Sequence, residues 1–313
     1  MMALSHKSKQ YGLIALKVLI LSLTFGYIYL KIKDGNGILL SEFLRSIQLE
    51  NAFSLALFMG FAAGNWCFEI LKWRTVTLPL QRLSFHQAMR QSLAALTVSL
   101  ATPNRVGEYG AKAYFFPSKQ RKQVLLLNFI SNGAQMLITL FLGVIGLIIV
   151  IFRFDLSVSI LKVMMGIVVF LVFVIAGYIF KEKELLVKGL SLAKVGRYIQ
   201  NLPVSIKIRT LLYSFLRYIL FGSLFYVLLS FFGAELSALE AAPMIMAMYL
   251  LVSVIPTIFV FDVVVRGGVA LWLFSLANVS EWTVLSTVVV MWVLNFVLPA
   301  IWGSFYVLTY RNS

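Results

Sequence analysis

Apolar residues in this chain come in long, nearly unbroken runs. They do not follow the 3.6 or 2.0 spacing of helices or strands that keep one face in water. A helix needs about 20 mostly apolar residues to cross a hydrocarbon core about 30 Å thick. Six runs meet that requirement: Gly12–Leu30, Ala52–Leu71, Val124–Phe152, Ser157–Phe180, Leu211–Phe232 and Thr283–Tyr310. The first is too long for the core of a signal peptide. Lys31-Ile32-Lys33 follows it where a cleavage site would need small residues, so it reads as an uncleaved helix.

Two further apolar stretches are interrupted. Residues 91–116 contain Thr102-Pro103-Asn104-Arg105, and residues 241–277 contain Pro256, Asp262, Arg266, Gly267 and Gly268. Non-helical backbone at membrane depth survives only when it is buried in protein or lines a wet cavity. Both stretches are therefore expected to form re-entrant helix–break–helix hairpins. Pro103, Gly107, Gly110, Pro256, Gly267 and Gly268 are expected to shape the breaks.

Composition agrees with a membrane chain. Of 313 residues, 61% are hydrophobic and 12% charged, whereas soluble domains are about 45–50% apolar and about 25% charged. The net charge of +15 would suggest nucleic acid in a soluble protein. Here the bases lie between the apolar runs, where the positive-inside rule and anionic headgroups explain them. One cysteine, Cys67, forbids an internal disulfide. Two histidines, His6 and His86, leave too little material for a Cys/His metal site. No metal and no cofactor are expected.

Charge also orients the chain. With a cytoplasmic N-terminus and re-entrant broken stretches, 19 of the 27 bases fall in inside segments and five outside. If the broken stretches crossed fully, the basic cluster Lys119–Lys122 would face outward. The expectation is a multi-pass inner-membrane protein with both termini cytoplasmic, about six spanning helices and two re-entrant hairpins. It is an all-α fold in a single membrane domain, 1–313.

That topology divides into halves 1–154 and 155–313. Each half has an odd number of crossings, so the second runs upside down relative to the first, an arrangement found in many secondary transporters. Both broken stretches carry a serine, then a proline, then an acid followed four residues later by a base: Glu108 and Lys112 in one, Asp262 and Arg266 in the other. An acid preceding a base at i,i+4 is the favoured helical pairing.

Ionisable residues within a bilayer are functional candidates by default. Arg266 would hold a lipid phosphate, with Asp262 orienting or releasing it; a salt bridge pinning the broken helix is compatible with that role. Arg105, Glu108 and Lys112 form the inner counterpart, for which the competing reading is a solvated cytoplasmic turn. Asn128, Asn132 and Gln135 share one helical face, which interhelical hydrogen bonding explains without a substrate. Glu69 is expected to pair with Lys72 or Arg217 in a structural role. The seven bases in 181–210 read as orientation and anionic-lipid contact. Trp66, Trp73, Trp282 and Trp302 read as interfacial or packing aromatics. No nucleotide loop, GxSxG elbow or HExxH motif is present, and Ser99 and Ser253 have no nearby histidine.

The segment Thr102-Pro103-Asn104-Arg105-Val106-Gly107-Glu108-Tyr109, continuing through Ala113-Tyr114-Phe115, resembles the flippase-like transmembrane domain family. That family includes the membrane half of bacterial lysylphosphatidylglycerol synthases/flippases. Pro256 through Gly268 resembles its second, glycine-rich re-entrant turn, although Thr257-Ile258 stands where a glycine pair is common. The resemblance covers essentially the whole chain and implies a stand-alone lipid translocator. The chain ends at Ser313 after its last helix, so the soluble aminoacyl-transferring domain is not expected.

The expected function is to move an anionic or zwitterionic phospholipid, or a lipid-linked phosphate, between leaflets. Arg105, Lys112 and Arg266 would hold the phosphate in turn, with Glu108 and Asp262 balancing those charges. The partners expected are those lipids and no nucleic acid, with self-association left open. A transporter is favoured over two rivals. One is a membrane-embedded transferase with Glu108 or Asp262 as general base; the other is a non-catalytic partner subunit of a lipid-modifying complex.

Overall fold

The computed structural model describes residues 52–100, 102, 106–156, 175, 178–183, 191–255 and 261–309. The expected helix Gly12–Leu30, nearly all of the run Ser157–Phe180, and Pro103, Asn104, Arg105 and Pro256 lie outside the described residues.

Among the described residues the regular elements are helices. In chain order they are α1 (Ala52–Val76), α2 (Phe85–Leu100), α3 (Gly107–Tyr114), α4 (Arg121–Arg153), α5 (Leu192–Asn201), α6 (Val204–Phe231), α7 (Ala238–Val254), α8 (Phe261–Ser275), α9 (Glu281–Trp292) and α10 (Leu298–Leu308). A single π turn, Val293–Val297, joins α9 to α10. Four continuous helical segments are long and apolar enough to cross a membrane: Phe53–Val76, Ser118–Arg153, Val204–Phe231 and Glu281–Leu308. They coincide with four of the six apolar runs.

Their ends extend past the runs into charged sequence. α1 continues five residues beyond Leu71 because Lys72 bonds Glu69 one turn back, at 2.7 Å. α6 begins at Val204 rather than Leu211, so Lys207 and Arg209 of the basic segment sit on its first turns. Most of the remaining described part of that segment is α5, whose N-cap Ser191 accepts a hydrogen bond from the Lys194 amide.

The helix breaks fall before Gly107 and before Phe261. At the first, the Gly107 amide donates to Thr102 Oγ1 at 2.8 Å. A Cβ there would lie 2.7 Å from that oxygen and 2.8 Å from the Val98 carbonyl, so the close approach requires glycine. The other glycines do not shape breaks: Gly110 lies inside α3, and Gly267-Gly268 inside α8. A glycine costs about 1 kcal/mol in a helix interior. Unwinding in hydrocarbon would instead strand backbone N–H and C=O groups at several kcal/mol each.

Helices in lipid gain little from the hydrophobic effect and associate through close packing and hydrogen bonds. Three close pairs each use glycine: Gly64 of α1 faces Leu220 of α6, Gly143 and Gly146 of α4 face α7, and Gly303 of α10 lies on the Leu93 carbonyl of α2. Thr97 Oγ1 also donates to the Ala300 carbonyl at 3.0 Å, tying α2 to α10. Further pairs are α2 with α3, α7 with α8, α3 with α4, α8 with α9, α1 with α2, α6 with α7, α1 with α4 and α6 with α9. The outer face of α4 carries exposed Phe129, Leu137, Phe141 and Phe152, as lipid contact requires.

Helix direction follows from the contacts. Phe58 meets Phe231 and Phe68 meets Tyr213, so α1 and α6 are antiparallel. Arg153 pairs with Glu240, just beyond the end of α6, so α4 and α6 end on the same face. Thr283 Oγ1 donates to the Phe232 carbonyl, which starts α9 on that face too. The Val76, Arg121, Val204 and Leu308 ends thus share one face, called here the Val76 face.

Candidate functional site

Each spanning segment carries one polar residue within a single position of its midpoint: Asn65, Gln135, Arg217 and Asn295. These four form one connected chain. Arg217 Nε donates to Asn65 Oδ1 at 3.1 Å, and Asn65 Nδ2 donates to Asn295 Oδ1 at 2.8 Å. The Arg217 guanidinium also reaches Gln135 Oε1 at 3.5 Å. One polar layer therefore links all four segments at mid-height.

A charged cluster extends from this layer toward the Val76 face. Glu69 Oε2 lies 2.9 Å from Arg217 and 2.7 Å from Lys72, and Glu69 Oε1 lies 3.8 Å from Lys112. Lys112 donates to Glu108 at 2.8 Å and to Asn128 Oδ1 at 2.9 Å, and its ammonium sits 4.4 Å from the Trp73 ring centroid. Trp73 in turn donates Nε1–H to Gln91 at 2.8 Å. Three cations face two carboxylates, so the five described groups carry one net positive charge. Exposure divides them: the side chains of Lys72 and Lys112 are sealed at 0% and 1%, whereas Glu108 and Arg217 keep 19% and 24%.

That exposure is toward a cavity of about 300 Å³. Glu69, Glu108, Lys112, Asn132, Gln135 and Arg217 give it polar walls, and Met136, half-exposed on the outer side of α4, stands at its rim. A cavity of this size is at the lower end of those that hold small ligands. Fixed charge of both signs beside it suits a charged group drawn out of water.

The sequence-derived candidates divide between two places. Glu108 and Lys112 form the expected i,i+4 pair and line this cavity. Arg266 lies elsewhere, at a narrow cavity of about 30 Å³ with Tyr249, Met291, Trp292 and Phe296. The Arg266 guanidinium is 5.9 Å from the Phe296 ring centroid. Asp262 is the second residue of α8, one turn before Arg266, and its side chain lies outside the described residues, as does Arg105.

Glu69 pairs with both of its expected partners. Asn128 and Gln135 do make the expected interhelical bonds, Gln135 Nε2 donating to the Ser214 carbonyl at 3.3 Å. Gln135 also lines the cavity with Asn132. Trp73 packs as expected and is fully buried, with its ring against Lys112.

Arg217 is the residue that sequence reasoning placed only as a structural partner of Glu69, and not at a site. Its signal was present: it is an ionised side chain in the middle of the run Leu211–Phe232, the same criterion that singled out Arg266.

The sequence matches no family model and no curated protein.

Proposed function

We propose that this chain is a lipid transporter of the inner membrane. It moves the phosphate-bearing headgroup of an anionic or zwitterionic phospholipid, or of a lipid-linked phosphate, between leaflets. The observation that carries this reading is the charged cavity at mid-height of four bilayer-length helices, with Arg217 and Glu108 open to it. Arg217 holds the phosphate there, Lys112 adds positive potential from within the wall, and Glu108 and Glu69 balance charge while the site is empty. Transport is passive or ion-coupled.

The proposal includes an inverted repeat with halves 1–154 and 155–313, and helix pairing supports it. Exchanging α1 with α6, α2 with α7, α3 with α8, and α4 with α9–α10 turns the observed pairs into one another. The α4–α7 pair becomes α2–α10, and α1–α6 maps onto itself. Helix lengths support the re-entrant reading. At 1.5 Å per residue, α2, α3, α7 and α8 span about 12–25 Å each, short of the roughly 30 Å hydrocarbon core. The resemblance at Thr102–Phe115 to flippase-like domains points the same way, as does the basic bias that puts both termini in the cytoplasm.

Lipid movement in proteoliposomes tests the reading. Fluorescent anionic and zwitterionic phospholipids and a lipid-linked phosphate would be followed with a leaflet-selective quencher. Wild type is expected to exceed protein-free vesicles. Glu108→Gln, Arg217→Gln and Arg266→Ala are expected to slow transfer by about tenfold to a hundredfold at matched folded protein, the loss of one charge-assisted hydrogen bond. Folded wild type that moves none of these lipids overturns the proposal.

A further inference from the structure

The two cavities are offset across the midplane layer. The wide one reaches from Glu69 of α1 and Asn132 of α4, on the Val76 side of their helix midpoints, past Gln135 to Thr139. The narrow one takes Phe221 and Phe225 from α6 and Val288, Met291 and Trp292 from α9, all on the other side. One residue, Phe296, lines both. Its neighbour Asn295 belongs to the midplane layer, so the ring stands at mid-height between the cavities.

The backbone at Phe296 is unusual. It belongs to the π turn Val293–Val297, a rare form that recurs inside α-helices at functional sites. Asn295, within the turn, accepts from Asn65, and Ala300 just beyond it accepts from Thr97, so the helix is anchored on both sides of the ring. Cations stand on either side, Arg217 in the wide cavity and Arg266 in the narrow one. The Arg266 guanidinium faces the ring in a cation–π contact that favours the closed position.

The narrow cavity also holds an unanswered polar group. The Tyr249 hydroxyl is buried in its wall and has no hydrogen-bond partner among the described residues. A buried hydroxyl without a partner costs free energy that a bound oxygen would recover. At about 30 Å³ the space admits a water molecule or two, and no headgroup.

We propose that Arg266 and Tyr249 form a second, closed subsite for an anionic phosphate group, and that Phe296 is the gate separating it from the open cavity at Arg217. This rests on the transporter reading for its cargo and on the cavity geometry for the gate. The structure is one end state, with the wide cavity open and the space beyond Phe296 shut. Movement of the ring joins the cavities and brings the phosphate from Arg217 to Arg266.

Thiol labelling tests the gate without using lipid movement. The full chain carrying Cys67→Ser is placed in nanodiscs, with Val288→Cys reporting the narrow cavity and Asn132→Cys the wide one. An anionic, membrane-impermeant methanethiosulfonate is the probe. Asn132→Cys is expected to react fast, and Val288→Cys slowly. Adding Phe296→Ala is expected to speed reaction at Val288→Cys by about tenfold or more, because an open minor state is typically populated at 0.1–10%. Asn132→Cys is expected to react at the same rate in both backgrounds. No acceleration at Val288→Cys, or equal acceleration at both positions, overturns the gate. Acceleration confined to Val288→Cys, with no lipid moved by wild type, upholds the gate and overturns the lipid as cargo.

Discussion

Replacing Glu69 by glutamine tests the electrostatic account of the fold most directly. Among the described residues, Glu69 is the one carboxylate shared by three cations, at 2.7 Å from Lys72, 2.9 Å from Arg217 and 3.8 Å from Lys112. Its side chain is 8% exposed, so water cannot replace what the substitution removes. Glu69→Gln leaves Lys72, Lys112 and Arg217 against Glu108 alone, raising the local charge by one unit. Removing one partner of a buried ion pair costs about 3–5 kcal/mol, most of it the stranded charge left behind. A loss of that size is expected in the unfolding free energy measured in mixed micelles. Adding Lys72→Met returns the cluster to its original net charge and removes the sealed ammonium. The double variant is therefore expected to be more stable than the sum of its parts by about 1–3 kcal/mol. A loss below about 1 kcal/mol in the single variant is the size seen for exposed pairs. It would mean that water solvates the cluster and that the burial argument fails.

Lys72 and Arg217 touch the same carboxylate, yet only Arg217 lines the cavity; Lys72→Met is expected to lower stability and spare lipid transfer per folded molecule, whereas Arg217→Gln lowers both, as paired unfolding and vesicle assays would read. Gly146→Ala would put a Cβ 2.5 Å from Met246 and 2.6 Å from the Pro243 carbonyl, and is expected to cost about 1–3 kcal/mol of unfolding free energy. Gly110→Ala, with nothing within 4 Å, is expected to be neutral or stabilising in the same measurement. Trp73→Phe keeps a ring beside Lys112 but strands Gln91, and is expected to cost about 1–3 kcal/mol of unfolding free energy. Outside the spanning segments, the Ser237 amide and hydroxyl, and then Arg153, hold the Glu240 carboxyl below its ordinary value. Its folded value is the lower one, so its contribution is present at neutral pH and is lost as pH falls through and below the ordinary carboxylate range. Glu240→Gln is expected to flatten that part of a stability–pH curve.

Apolar runs located four spanning segments because a bilayer-length helix leaves a length signal that needs no knowledge of neighbours. Their ends were less legible, since a charge ends a helix on paper but not where a partner one turn away neutralises it, as Glu69 does for Lys72. The broken stretches were legible through proline and charge, while Gly110, Gly267 and Gly268 misled because a helix tolerates glycine more cheaply than lipid tolerates open backbone. The Glu108–Lys112 pair was visible because it is local. So was Glu69 with Lys72, whereas Glu69 and Arg217 are 148 positions apart in the chain, and only the packing of α1 on α6 brings them together. The polar layer was hidden for the same reason. Asn65 and Asn295 look unremarkable singly, and acquire meaning only as midpoints of helices that touch.

The same geometry bears on how a ligand could drive movement. A single uncompensated charge at the bilayer centre costs roughly 2.5–3.5 kcal/mol on insertion-based scales, and the described cluster carries one cation in excess. Sealed Lys72 and Lys112 cannot meet a ligand from lipid or water without unpacking. Arg217 can, and it is also the side chain that joins α1 to α6 through Asn65 and Glu69, and reaches α4 through Gln135. On the proposed function, an anionic headgroup at Arg217 would compete with Glu69 for the guanidinium, relieving the excess charge while weakening the joint between the helices. Occupancy and helix packing then share one free energy. A bound headgroup favours whichever packing holds Arg217 less tightly, and this differential affinity is what a ligand needs to shift a two-state structure. A receptor built only to hold its ligand would gain nothing by placing its accessible cation at that joint.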